Sequence, residues 1–134
     1  MKSADSPRGQ IFSVAIERQG PYCIVRLAGE LDIATTSKLR RVLKERLVDA
    51  GEVNIVVDLT ELDFMDSSGL GVLIGMHKRA RALRGSLAVV CPDGPVLRVM
   101  SITGLLHVLH VHASLEAATA EPPEPRTRQA PRGQ

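Results

Sequence analysis

The sequence predicts one α/β domain over residues 11–118, a four- to five-stranded mixed β-sheet with about four helices mainly on one side. Three observations carry this expectation. Strand-like and helix-like segments alternate along the chain, which implies parallel strands joined by right-handed crossovers. Val53 to Leu59 and Leu87 to Cys91 are nearly continuous apolar runs rich in β-branched residues, as in central strands covered on both faces. Leu39, Val42, Leu43 and Leu47, and later Leu70, Leu73, Ile74, His77 and Ala80, recur at helical spacing.

In order, Phe12, Val14 and Ile16 alternate with polar neighbours, Gln19-Gly20-Pro21 punctuates, and Tyr22 to Ala28 is apolar except for Arg26, so a hairpin opens the fold. Thr35 to Ala50 reads as the first helix, with Lys38, Arg40, Arg41, Lys44, Glu45 and Arg46 between its apolar positions. The second helix covers roughly residues 67–84 and stops at Arg84-Gly85. A short helix from Pro95 to Ile102 stops at Gly104, Leu106 to Val111 is a candidate last strand, and Ser114 to Ala118 a final helical turn. Residues 1–10 and 119–134 are expected to be disordered; the latter segment holds four of the eight prolines and no large apolar side chain.

Composition narrows the function. The chain has 134 residues, 44% hydrophobic and 24% charged, in the range of one ordinary globular domain. Its net charge of +2 comes from the terminal segments, because residues 11–118 carry twelve basic and twelve acidic side chains. With a neutral body and only Phe12, Tyr22 and Phe64 as aromatic residues, no direct nucleic-acid partner is expected. The longest apolar run, Leu70 to Met76, is far short of the ~20 residues of a membrane span, and the first residues have no apolar signal core, so a cytoplasmic location is expected. Cys23 and Cys91 sit in apolar runs and read as small buried hydrophobes rather than a redox pair.

Several constellations fall short of chemistry. Ser67 has no base within reach: on one helix, His77 would stand about 15 Å away, and no nucleophile elbow is present. His107, His110 and His112 suggest a metal site, yet on a strand only His110 and His112 share a face. Neither cofactor nor metal is therefore expected. Lys78, Arg79, Arg81 and Arg84 make a basic side of the second helix, either a solvated face or a steering surface for an acidic partner. A small-ligand sensor would need a pocket, which no run of residues signals.

The most informative stretch is Phe64-Met65-Asp66-Ser67-Ser68-Gly69-Leu70-Gly71, where a buried strand ends, a short loop runs and an apolar helix begins. Taken alone, Asp, Ser and Gly are what any helix entrance uses, since a side-chain oxygen accepts from an unpaired first-turn amide. Gly69 and Gly71 allow either close packing or close approach of a partner. The longer run Leu62 to Leu73, preceded by Val56-Val57-Asp58-Leu59, by Gly29-Glu30-Leu31-Asp32 and followed by Ile102-Thr103-Gly104-Leu105, resembles the STAS-domain anti-sigma factor antagonists.

That resemblance implies a single STAS domain that is not an enzyme. It makes Ser67 the phosphoacceptor and Ser68 its helix-capping neighbour. Asp32, Thr36, Asp66, Ser67, Ser68 and Gly69 are the expected partner-binding residues. It further implies that the unmodified protein binds an anti-sigma factor that is also a serine kinase and so frees a sigma factor, that phosphorylation ends the binding, and that a serine phosphatase resets it. The alternative is a STAS-type accessory subunit of a membrane transport complex, which would be indifferent to Ser67→Ala.

Overall fold

The computed structural model describes residues 11–120. A hairpin of β1 (Ser13–Gln19) and β2 (Tyr22–Leu31) is followed by α1 (Thr36–Lys44), which runs on as a π-helical turn over Glu45–Asp49. Then come β3 (Asn54–Met65), α2 (Ser67–Ala82), β4 (Ser86–Val90), α3 (Pro95–Ile102), a 3-10 turn over Leu105–His107, β5 (His110–His112) and α4 (Leu115–Ala118). The expected disorder of residues 1–10 and most of 119–134 lies outside the described residues.

The five strands form one sheet in the order β1-β2-β3-β4-β5. β1 and β2 run antiparallel, and the later pairs are parallel. The expected mixed sheet is present, and the alternation of side chains divides its core in two. Val25, Leu27, Ile55, Val57, Leu87 and Val89 face the larger cluster, with Leu39 and Leu43 of α1, Leu73 and Ala80 of α2, and Met100 of α3. On the other face Ile24, Val56 and Val90 pack with Tyr22 under Leu115 and Ala118 of α4. Both faces of β3 are thus covered, which is why its first half reads as a nearly continuous apolar run.

Two elements differ from the sequence expectation. β3 does not stop at Leu59 but continues to Met65, pairing Ala28–Leu31 of β2 across two register shifts. Asp58, 4% exposed, holds this irregular stretch: its carboxylate accepts from the Thr60 amide at 3.0 Å and the Thr60 hydroxyl at 2.6 Å, and faces the Arg26 guanidinium at 3.5 Å. The last strand is only His110–His112, because Leu105–His107 coils instead. His107 therefore lies off the strand, and among the described residues no three His, Cys, Asp or Glu side chains are grouped to hold a metal ion.

Candidate functional site

β3 delivers the chain to α2 with one residue between them, Asp66, rather than through a loop. Asp66 has extended backbone, φ −105° and ψ −174°, and acts as the N-cap. Its Oδ1 accepts from the Ser68 amide at 2.9 Å, the Gly69 amide at 3.3 Å and the Ser68 hydroxyl at 2.5 Å. The backbone of Ile33, across the gap between β2 and α1, also donates to it. Partial burial alone pushes the Asp66 carboxyl upward, but these donors together hold it below the usual aspartate range. The cap is therefore an anion throughout the neutral range.

The two serines are unlike. Ser68 is half-buried with its hydroxyl committed to Asp66, whereas Ser67 is exposed at the first position of α2. The unpaired amides of that first turn put partial positive charge beside Ser67.

The facing wall is the β2–α1 turn. The Asp32 carboxylate accepts from the Ala34 amide at 3.0 Å and the Thr35 hydroxyl at 3.2 Å. The Thr35 hydroxyl also lies 3.0 Å from the Glu30 carbonyl and accepts from the Asp32 amide at 2.9 Å. Thr36 is 5% exposed and its hydroxyl donates to the Ile33 carbonyl at 3.3 Å. It shapes the turn from inside, leaving the surface to Ile33, 79% exposed, and Ala34. The amide of Asp66 donates to the Leu31 carbonyl at 3.2 Å, tying the turn to the α2 entrance.

Gly69 is buried against that junction. A Cβ there would stand 2.8 Å from both Leu31 Cδ2 and Met65 Cγ, so its close approach is to the interior of the domain. Gly71 is exposed and a Cβ on it would meet nothing within 4 Å. The structure thus brings Asp32, Asp66, Ser67 and Ser68 to the one end of the sheet at which β2 and β3 finish, with Thr36 and Gly69 beneath them. Sequence reasoning missed Ile33 and Thr35. An isoleucine exposed between Asp32 and a threonine-rich helix start is the signal that was there to be used.

Among the described residues, Cys23 and Cys91 are free and buried. Burial pushes both thiols up, that of Cys91 to about 11, so neither is a nucleophile at neutral pH. No described helix is long and apolar enough to cross a membrane.

Comparison with known proteins agrees with this architecture. The family model described as STAS domain matches residues 13–118. The chain is 35% identical over 101 residues to an anti-sigma F factor antagonist of Paenibacillus polymyxa, covering 75% of this chain and 86% of that protein. It is 34% identical over 95 residues to an anti-sigma-B factor antagonist of Listeria monocytogenes, covering 71% and 82%. The structure of the anti-sigma factor antagonist SpoIIAA in its unphosphorylated form superposes with a TM-score of 0.66 at 25% identity, over 78% of this chain and 92% of that one. With its sheet, its capped helix entrance and these relatives in agreement, the chain belongs to the STAS-domain family of anti-sigma factor antagonists.

Proposed function

We propose that the protein is a phosphorylation-controlled partner switch. Unmodified, it binds an anti-sigma factor that is also an ATP-dependent serine kinase, and so releases a sigma factor. Phosphate on Ser67 ends the binding, and a serine phosphatase restores it. The observation that carries this reading is the contrast at the α2 entrance, where Ser67 is exposed and the Ser68 hydroxyl is held by Asp66. That one relative's structure is specified as its unphosphorylated form supports it.

The physical consequence of modification follows from the site. A phosphate adds about −1.5 to −2 charge at pH 7, which a helix N-terminus offsets by roughly 0.3–1 kcal/mol. The modified protein stays folded. The partner, however, would have to desolvate a dianion beside the Asp66 carboxylate. In this proposal Ile33 is the apolar contact, Asp32, Asp66 and Ser68 form its polar surround, and Thr36 and Gly69 fix the turn and helix that present it. The role is regulatory rather than catalytic, as in the relatives, and its place is the cytoplasm, where sigma factors act.

The test is incubation with the cognate anti-sigma factor and ATP, read by intact mass and fragment ions. One phosphate on Ser67, absent from Ser67→Ala, is expected. Labelling of Ser67→Ala at Ser68 would contradict the assignment. Co-purification with a membrane complex, unchanged by Ser67→Ala, would favour the transport-accessory role instead.

A further inference from the structure

The other end of α2 forms a second, chemically distinct site. An open pocket of about 360 Å³ lies between the last turns of α2, the starts of β3 and β4, β5 and α4. Its charged and titratable lining consists of Arg81, Arg84, His77, His110, His112 and the phenol of Tyr22, and among the described residues no Asp or Glu lines it. Ile55, Val56, Ala88 and Ala118 supply an apolar wall. From Ser67 to Arg81 is fourteen residues of α2, about 21 Å at 1.5 Å per residue, so this is not the switch surface.

Two details indicate that the pocket is built for an occupant. His77 is 6% exposed, its ring hydrogen-bonds the Leu87 backbone, and its Nδ1 is buried without a hydrogen-bond partner. Its ring centroid stands 5.7 Å from that of His110. That Nδ1 is an unmet polar group on a residue that lines the pocket. The second detail is Arg84, which has φ +66° at the helix terminus. Glycine is the usual residue in that conformation; here glycine is used one position later, where a Cβ would meet the Val53 carbonyl at 2.4 Å. Arginine thus stands in a left-handed conformation at the mouth of the pocket.

We propose that this pocket binds a small organic phosphate. Two guanidinium forks match phosphate oxygens in geometry. Imidazoles with an ordinary pKa near 6.5 and a phosphate whose second pKa is near 6 share protons close to neutrality, which carboxylates do not. The volume exceeds that of inorganic phosphate, and the apolar wall accommodates an organic body. Burial lowers the His77 pKa, as do the neighbouring His110 and Arg81, against the hydrogen bond to the Leu87 backbone, which raises it; a bound dianion acts against the lowering.

The experiment is an NMR titration of the full chain at constant ionic strength with glycerol 2-phosphate, with succinate as the carboxylate control. Saturable shifts at His77, His110 and the Arg81 and Arg84 side chains are expected in the millimolar range or tighter, with binding strengthening from pH 8 to pH 6. An R81A/R84A variant alters only exposed side chains, and circular dichroism checks its fold. It should weaken binding at least tenfold, while Ser67→Ala should leave it unchanged. Absence of saturable shifts, equal binding by R81A/R84A, or equal response to succinate would overturn the proposal. Since the Ser67→Ala variant binds no less in this assay, failure here would leave the switch reading untouched.

Discussion

At Asp66, one carboxylate oxygen does the work that separates two adjacent serines. It satisfies two first-turn amides and engages the Ser68 hydroxyl, so Ser67 is the residue presented outward. Replacing Asp66 by alanine removes the cap and should lower unfolding free energy by about 0.5–2 kcal/mol, read from the urea midpoint. It should also free the Ser68 hydroxyl, so kinase-treated Asp66→Ala is expected to lose the strict preference for Ser67. Undiminished stability and selectivity would mean that the cap governs neither. Asp66 and the two serines were legible in the sequence because they form a contiguous motif at a helix entrance, and Asp32 through the resemblance carried by Gly29-Glu30-Leu31-Asp32. Ile33 was not, because its backbone meets Asp66 only once the ends of β2 and α2 are brought together.

Among the elements, α2 carries two glycines that a sequence pattern treats alike, and only Gly69 packs against the junction. Gly69→Ala would drive a Cβ to within 2.8 Å of Leu31 and Met65 in a fully packed junction and should destabilise by about 1–3 kcal/mol. Gly71→Ala meets open space and should stabilise by up to about 1 kcal/mol through helix propensity. Opposite shifts of the melting temperature are expected; a gain in both would mean that α2 does not seat against Leu31. Periodicity located α1, α2 and the first half of β3 because each has one dominant apolar pattern. It ended β3 six residues early, since Thr60 to Asp63 owe their strand conformation to β2 and to the Asp58 carboxylate rather than to an apolar run. It placed His107 on a strand because Leu106 to Val111 is apolar whether it coils or extends.

Across the whole molecule, charge is separated along α2. Acidic Asp32 and Asp66 stand at the end that carries Ser67, and Arg81, Arg84, His77, His110 and His112 at the other. The pocket was invisible in the sequence because its lining comes from α2, four strands and α4. Its burial of His77 carries a pH consequence. The pKa of His77 is lowered in the folded protein, by burial first and then by His110 and Arg81. The unfolded chain therefore binds more protons below the ordinary histidine value near 6.5. Its stabilising contribution is present above that value and is lost as pH falls. Urea midpoints at pH 7.5 and 5.5 should fall further for the native chain than for His77→Leu; an equal fall would show that His77 titrates normally. The account of function rests on Ser67, and calorimetric titration of the cognate anti-sigma factor with unmodified and Ser67-phosphorylated protein tests it most directly. An uncompensated buried charge at an interface costs about 2–5 kcal/mol, so the phosphorylated form should bind at least about 30-fold more weakly at 1.4 kcal/mol per decade. Equal affinity of two folded forms would contradict it.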